Sequence, residues 1–257
     1  MHQAYRTALV TGASSGIGRQ LARQLAGDGC DLVILARRTG LLEELAADLR
    51  AAHQVSVEVL TADLTSPAGV TAARDRVSDP ARPIELLVNN AGLGSEGPFA
   101  ELPAASVDGQ VSLNVMALVA LTHAVLPSML RRGHGGVLNV SSVAGFVALP
   151  GSAVYGATKA FVTSFSESLY GEVIGQGVHV TALCPGFTRT ESGSAADEAL
   201  PAFALLDASR VARAGLDAVA AGRVICVPGA QYKVVVPLAK LVPRRAIRSV
   251  LKAMQRP

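Results

Sequence analysis

Three residues near the middle of the chain could carry acid–base chemistry. Tyr155 and Lys159 are four residues apart in a helical pattern, so both side chains share one face of the helix. An isolated tyrosine has a pKa of about 10, and a neighbouring ammonium group stabilises its phenolate form. Ser142 lies upstream, at the end of a predicted strand. A hydroxyl, a phenol and an ammonium that converge on one point can bind an oxygen atom and move a proton to it.

A glycine-rich loop near the start of the chain could bind phosphate. Gly12, Gly16 and Gly18 stand between a short apolar run and a helical pattern. Glycine permits a tight turn, and the amide groups at a helix start attract anions. The spacing G-x-x-x-G-x-G differs from the usual dinucleotide fingerprint, G-x-G-x-x-G. The loop by itself therefore leaves a purely structural turn open.

Two arginines follow the second predicted strand, where NAD-binding folds place a carboxylate. A guanidinium group pairs with the 2′-phosphate of NADP, which an aspartate would repel. Arg37 and Arg38 therefore favour NADP(H), with NADPH preferred over NADH. The alternative is that both are solvated residues at the start of a helix.

Alternating strands and helices must position these groups. Strands are predicted at 7–10, 31–36, 55–60, 84–88, 136–141 and 178–183, and helices at 17–27, 41–52, 67–77, 103–132 and 153–175. This alternation is typical of βαβ units. Right-handed crossovers then produce a doubly wound, Rossmann-type parallel sheet with helices on both faces. Because the carboxyl ends of parallel strands share one edge, the glycine loop, Ser142 and Tyr155 should meet there.

The last third of the chain is predicted to complete the same α/β domain. A helix is expected around 199–206, another at 208–221, and a seventh strand at 224–227. We predict a single domain, in which residues 1–190 form the cofactor-binding and catalytic core. Residues 191–257 would supply a substrate lid, the last strand and a basic extension.

Composition and charge exclude several classes of protein. Half of the residues are hydrophobic and 17% are charged, which excludes intrinsic disorder. The net charge of +3 gives no reason to expect nucleic acid. Three scattered cysteines indicate neither a disulfide framework nor a metal site. We expect a cytoplasmic protein without a signal peptide. The uncharged stretch 111–130 is long enough to span a bilayer, but its polar residues favour a buried or subunit-facing helix.

Further residues complete a recognisable pattern in the order of the chain. They are Thr11, the three loop glycines, Asp63-Leu64, Asn89-Asn90-Ala91-Gly92, Asn114, Ser142, Tyr155-x-x-x-Lys159, and Pro185-Gly186 with Thr190. With these motifs the chain resembles the short-chain dehydrogenase/reductase family over about residues 5–190. The resemblance implies an NADP(H)-dependent oxidoreductase that interconverts a carbonyl compound and an alcohol without a metal.

The resemblance also implies a role for each matching residue. Ser142 would bind the substrate carbonyl, Tyr155 would exchange the proton, and Lys159 would lower the pKa of Tyr155 and bind the nicotinamide ribose. Asn114 would hold a water that links Lys159 to solvent, Asp63 would meet the adenine, and Asn89 would steady the central strands. Thr188, where the family more often has Val or Ile, could cap the next segment. The implied cofactor-binding set is Gly12, Ser14, Ser15, Gly16, Ile17, Gly18, Arg37, Arg38, Asp63, Leu64, Asn90, Ala91, Gly92, Tyr155, Lys159, Pro185, Gly186, Thr188 and Thr190.

The substrate side of the sequence is apolar. The stretches 93–99 and 144–153 and an Ala- and Leu-rich lid at 195–206 would form the walls, which favours a hydrophobic or lipid-like substrate. Packing of the lid on the body is an equal alternative. Residues 218–257 carry eight basic and no acidic residues. This tail could contact an anionic membrane weakly, although covering the protein's own flank or a partner subunit is favoured.

Three functions follow. The first is a carbonyl reductase that acts on a small molecule. The family resemblance implies that it would assemble as a homodimer or homotetramer. The second is a catalytically silent NADP-binding regulatory module. The third is a membrane-peripheral reductase of 3-oxoacyl or steroid-type lipids.

Overall fold

The computed structural model describes residues 4–189 and 204–233. The strands are β1 (Thr7–Thr11), β2 (Asp31–Ala36), β3 (Val57–Thr61), β4 (Leu86–Asn89), β5 (Gly135–Val140), β6 (Val178–Leu183), β7 (Thr188–Arg189), β8 (Leu206–Asp207) and β9 (Ile225–Cys226). The α-helices are α1 (Gly16–Gly27), α2 (Thr39–His53), α3 (Pro67–Ser78), α4 (Ala104–Val111), α5 (Leu118–Arg132), α6 (Ala153–Val173) and α7 (Ala208–Ala220).

Seven strands form one parallel sheet in the order β3-β2-β1-β4-β5-β6-β9. The predicted doubly wound α/β sheet is confirmed. The chain builds the sheet outward from β1 in one direction and from β4 in the other. Strand order therefore reverses between β1 and β4, and ligands of open α/β sheets bind in the crevice beyond the carboxyl ends at such a point.

The strands are apolar on both faces because helices cover both faces. In β1, Ala8, Leu9 and Val10 are all buried, yet alternate residues belong to two separate hydrophobic clusters. One cluster includes side chains of α1, α2 and α7, and the other includes side chains of α3, α5 and α6. Each fully buried Leu or Val contributes about 1.5–3 kcal/mol to stability. Burial on both faces holds the carboxyl edge of the sheet rigid.

The long helix predicted at 103–132 is interrupted. A π-helix at Ser112–Ala117 joins α4 to α5, and it contains Asn114. By length and composition the combined helix Ala104–Arg132 could cross a membrane, with 39% of its most apolar window buried. In this fold α5 packs against α3 and the sheet, and Leu121, Val125 and Met129 are buried in the core.

Two predictions about the later chain need correction. The helix expected at 199–206 falls mostly outside the described residues, and Leu206 pairs with Thr188 in a two-stranded sheet formed by β7 and β8. Strands of two residues have no alternation, so the sequence pattern could not reveal them. The seventh strand of the main sheet is shorter than predicted, at Ile225–Cys226, but it does pair with β6. The division into a core and a tail at residue 190 stays a prediction.

Candidate active site

Ser142, Tyr155 and Lys159 meet at the carboxyl edge of the sheet. Ser142 follows β5, and its hydroxyl accepts a hydrogen bond from the Ala144 amide at 3.1 Å, which orients the side chain. Tyr155 and Lys159 lie in the first two turns of α6. The Ser142 hydroxyl lies close enough to the Tyr155 phenol to lower the pKa of that phenol. The convergence predicted from spacing is present.

Two opposing effects act on the Tyr155 phenol. Burial raises its pKa above the usual value, and the Ser142 hydroxyl lowers it. The net direction is upward. The phenol is therefore protonated at neutral pH, which is the form that can donate a proton to an oxygen atom.

Lys159 is buried, and its ammonium nitrogen donates a hydrogen bond to the Val140 carbonyl at 2.8 Å. Burial lowers its pKa to about 8, and the Cys184 thiol opposes this. The ammonium nitrogen lies 5.6 Å from the centre of the Tyr155 ring. Burial and the Ser142 hydroxyl are the effects that shift the Tyr155 pKa in this structure, and the lowering of that pKa by Lys159 stays a prediction.

Asn114 fastens the loop after β4 to the two long helices. Its amide donates to the Leu93 carbonyl at 2.8 Å and to the Thr158 hydroxyl at 3.0 Å, and its oxygen accepts from the Leu93 amide at 2.9 Å. A Cβ at Gly92 would lie 3.3 Å from the Asn114 oxygen and 3.5 Å from the Lys159 ammonium. Glycine at this position leaves the space between those two polar groups open. The π-helix, a feature frequent at functional sites, sets the position of Asn114.

A cavity of about 420 Å³ opens at the switch point between β1 and β4. Its lining comes from the ends of four strands and the loops that follow them: Gly12, Ser14, Ser15, Leu35, Ala36, Arg37, Arg38, Ala62, Asp63, Leu64, Asn90, Ala91, Gly92, Leu93 and Leu113. Most members of the predicted cofactor set therefore line one cavity.

The glycine loop brings the end of β1 close to the start of α1, beside the cavity. Gly12 has a φ of +68°, a conformation that favours glycine, and a Cβ at Gly18 would overlap the Gly12 carbonyl. Ser15 precedes α1 without capping it through its side chain. The first amides of α1 are therefore free of a side-chain cap, and such amides bind phosphate oxygens.

Arg38 bends back over this loop. One terminal nitrogen of its guanidinium donates to the Ser14 and Ser15 hydroxyls, both at 3.0 Å. Arg37 lies near Asp63, whose pKa is lowered chiefly by hydrogen bonds from Thr65 and further by the Arg37 charge. These two basic side chains and two hydroxyls suit a phosphate group at the β2 end of the cavity. The residues present fit a nicotinamide dinucleotide.

Comparison with known proteins agrees with this geometry. Residues 6–200 match the family model of the short chain dehydrogenases. The chain belongs to the short-chain dehydrogenase family. It is an oxidoreductase of that family.

Individual members of the family are similar over much or nearly all of the chain. An uncharacterized oxidoreductase of Myxococcus xanthus is 44% identical over 188 residues, which are 73% of this chain and 74% of that protein. A short-chain dehydrogenase of Sphingobium yanoikuyae in complex with NADPH is 36% identical, with a TM-score of 0.82 and 95% of both chains covered. The bulky-bulky ketone specific alcohol dehydrogenase of Comamonas testosteroni is 33% identical, with a TM-score of 0.81 over 96% of this chain and 94% of that one. A Burkholderia phymatum member in complex with NAD is 28% identical, with a TM-score of 0.80 over 93% and 94%.

Buried amides tie the central strands of this short-chain dehydrogenase together. The Asn89 amide donates to the Thr122 hydroxyl at 3.0 Å and to the Asn139 side chain at 2.9 Å, and Asn139 donates to Ser166 at 2.9 Å. The supporting role inferred for Asn89 is therefore seen directly. This network joins β4, β5, α5 and α6 beneath the catalytic groups.

The loop formed by residues 185–188 borders the catalytic serine. The Pro185 carbonyl accepts hydrogen bonds from the Val143 amide at 3.0 Å and the Ser142 hydroxyl at 3.5 Å. Thr188 donates its hydroxyl back to the Gly186 carbonyl at 3.0 Å and enters β7. The expected capping of the following segment by Thr188 stays a prediction, because that segment lies outside the described residues. Thr190 lies outside the described residues.

The two predicted substrate walls meet beside Tyr155. A Cβ at Gly94 would contact the Tyr155 ring at 3.6 Å, and the Gly97 amide donates to the Gly151 carbonyl at 2.8 Å. Three large apolar side chains on this side of the site are at least partly open to solvent: Val147, Leu149 and Phe187. The stretches 93–99 and 144–153 therefore lie side by side next to Tyr155, and their role as substrate walls stays a prediction. Residues 195–203 of the predicted lid lie outside the described residues.

Sequence reasoning missed two residues with evident roles, Gln110 and Tyr232, and it gave no individual role to the motif residue Thr11. The Thr11 hydroxyl accepts from the amides of Asn90 and Ala91, both at 3.0 Å, and so sets the floor of the cavity. Gln110 is buried one turn before Asn114 and donates to the Ser95 hydroxyl at 3.2 Å. Its four-residue spacing from Asn114 could have revealed it. Tyr232 packs on Gly186, a contact for which the sequence carries no signal.

Proposed function

We propose that this short-chain dehydrogenase is an NADPH-dependent carbonyl reductase that interconverts a hydrophobic ketone or aldehyde with its alcohol. The observation that carries the proposal is the grouping of the Ser142 hydroxyl, the Tyr155 phenol and the buried Lys159, whose ammonium nitrogen lies 5.6 Å from the centre of the Tyr155 ring. The cavity of about 420 Å³ at the switch point gives the same edge of the sheet room for a ligand. A binding module without catalysis would have no need of a protonated phenol grouped with a serine hydroxyl and a buried ammonium.

The mechanism follows from these positions. When bound, NADPH supplies the hydride that reaches the carbonyl carbon. Ser142 donates a hydrogen bond to the carbonyl oxygen and holds it beside the phenol. Tyr155 transfers its proton to that oxygen as negative charge develops there, so that the alcohol forms and the phenolate remains. Lys159 then stabilises the phenolate, and a water between Asn114 and Lys159, next to Gly92, would return a proton from solvent.

The NADP preference is supported by Arg37 and Arg38. A 2′-phosphate at the β2 end of the cavity would meet the Arg38 guanidinium and the hydroxyls of Ser14 and Ser15. Asp63 is the carboxylate that lines this cavity among the described residues, and the Thr65 amide and hydroxyl already donate hydrogen bonds to it in place of a 2′-hydroxyl. Asp63 and Leu64 would meet the adenine, and Pro185, Gly186, Thr188 and Thr190 the nicotinamide side.

The substrate class is supported by the apolar character of the walls. Val147 and Leu149 lie in the predicted wall 144–153, Phe187 lies in the loop that follows β6, and all three expose apolar surface. The structural similarity to an alcohol dehydrogenase described as specific for bulky-bulky ketones points the same way. A bulky, hydrophobic ketone would bury these side chains on binding.

Assembly and location are also proposals. An almost entirely apolar groove of about 470 Å³ runs between α4 and α6 and includes Phe99, Val111 and Phe161, all partly or well exposed. A second copy of the chain would cover this surface in a homodimer or homotetramer. We infer a cytoplasmic enzyme. The basic segment 234–257 lies outside the described residues, and weak membrane contact by it would be tested by sedimentation with anionic vesicles.

The decisive experiment uses Tyr155→Phe. Purified wild-type protein should oxidise NADPH in the presence of a bulky hydrophobic ketone. Tyr155→Phe removes the transferable proton and should lower turnover at least 100-fold, as expected for loss of general acid catalysis. NADPH binding, followed by fluorescence, should be retained. Turnover that persists in the variant would refute the mechanism, and binding of NADPH without turnover by wild type across ketones and aldehydes would favour the silent module.

A further inference from the structure

A tyrosine from the far end of the described chain rests on the loop beside the catalytic serine. Tyr232 lies 45 residues after Phe187. Its ring covers Gly186 so closely that a Cβ at Gly186 would overlap the ring carbons. Only glycine leaves room for this contact. The fit between Gly186 and Tyr232 is therefore specific in shape.

The hydroxyl of the same tyrosine joins two separate parts of the chain. It accepts a hydrogen bond from the Phe187 amide at 3.2 Å and donates one to the Ala204 carbonyl at 2.7 Å. The Phe187 carbonyl in turn accepts from the Leu206 amide at 2.8 Å. One phenol thus fastens the loop after β6 to the segment that leads into β8.

This loop is connected to the reacting groups. The Pro185 carbonyl accepts hydrogen bonds from the Val143 amide and the Ser142 hydroxyl. A displacement of residues 185–188 would move the acceptor that helps to orient Ser142. It would also move the backbone expected to meet the nicotinamide.

We infer that Tyr232 is a positioning residue, which holds residues 185–188 in the arrangement that the nicotinamide half of NADPH and Ser142 require. The inference rests on the proposed function. It gives the C-terminal part of the described chain a role in cofactor binding, although none of the sequence motifs lies in that part. A side chain that only stabilised the fold would change the melting temperature and leave cofactor affinity alone.

Tyr232→Phe tests the hydroxyl and keeps the ring. Loss of a hydrogen bond typically changes an equilibrium between about 2-fold and 12-fold. Hydrogen exchange at the Phe187 amide, measured without cofactor, should accelerate by that factor. The Kd for NADPH should rise by a similar factor, and kcat/KM should fall with it. Tyr170→Phe is the matched control, since Tyr170 lies on α6 and packs against the core far from this loop.

A size exchange tests the ring. Gly186→Ala should weaken NADPH binding, because the new methyl group meets the Tyr232 ring. In a Tyr232→Ala background the same substitution should cost little, since the ring has gone. An equal loss of NADPH affinity from Gly186→Ala in both backgrounds would overturn the inference.

These measurements distinguish a failure of the proposed function from a failure of the role inferred for Tyr232. If wild type binds no NADPH, the proposed function fails. If wild type binds NADPH and Tyr232→Phe alters neither Phe187 exchange nor NADPH affinity, only the role of Tyr232 is refuted.

Discussion

Arg38→Ala is the substitution that most directly tests the cofactor preference. Its guanidinium is held over the glycine loop by two hydrogen bonds of 3.0 Å to Ser14 and Ser15, and it lines the cavity. The two serine hydroxyls therefore hold the positively charged Arg38 guanidinium where a 2′-phosphate would lie. NADH has no phosphate at that position, so removal of the charge should penalise NADPH alone.

The magnitude follows from the kind of contact. A hydrogen bond to a charged group contributes about 1.5–3 kcal/mol, and Arg38 is exposed, which favours the lower part of that range. The ratio of kcat/KM for NADPH to that for NADH should therefore fall about 10- to 100-fold. Arg37→Ala should reduce the ratio less, because the Asp63 carboxylate already offsets part of the Arg37 charge.

The assay compares the two reduced cofactors at saturating ketone, with cofactor consumption followed by absorbance. Arg23→Ala is the control for a lost positive charge, since Arg23 pairs with Asp48 at 3.3 Å outside the cavity. A ratio for Arg38→Ala within twofold of wild type would refute the assignment of the phosphate site. Equal losses with NADPH and NADH would show that Arg38 supports the loop and does not recognise phosphate.

Three further predictions concern other parts of the site. The Gly92→Ala variant should fold, because the new Cβ meets no atom closer than 3.3 Å. It should lower kcat several-fold, because the methyl group fills the space between Asn114 and Lys159. An unchanged kcat in stopped-flow assays would argue against a water in that space. Burial lowers the Lys159 pKa to about 8, so between pH 8 and 10 the unfolded state binds more protons than the native state, and wild type should gain stability relative to Lys159→Met as pH rises. Thermal melts across that range that show a constant difference would contradict the assignment. Phe161→Glu should shift the protein toward monomer in light-scattering measurements, whereas Ile174→Glu, at a more exposed apolar position immediately after α6, should not. Identical masses for both variants would exclude the α4–α6 groove as the contact.

Local patterns in the sequence were sufficient for the sheet and for most of the site. Apolar runs such as 31–36 and 178–183 predicted buried strands, and the i, i+4 spacing of Tyr155 and Lys159 placed both on one helix face. These predictions succeed because periodicity and turn residues act over a few positions. The approach of Ser142 and Tyr155 to one edge was expected on the same grounds, since a strand end and the following helix start lie at one edge of a parallel sheet.

Other features depended on packing between distant parts of the chain. No local sequence pattern predicts three of them: the π-helix at Asn114, the β7–β8 pair and the contact of Tyr232 with Gly186. The upward shift of the Tyr155 pKa likewise depends on burial, which the packing of α6 in the fold decides.

The sequence by itself determined the family and the fold class and predicted the reacting groups, since these depend on residue types and short spacings. Only the tertiary structure decided that Arg38 turns back onto Ser14 and Ser15, that Lys159 is desolvated against the Val140 carbonyl, and that Tyr232 closes over Gly186. Each of these results from side chains brought together by the sheet from positions far apart in the chain. Burial and hydrogen bonding, which set charge and orientation, are properties of that arrangement and of no single segment.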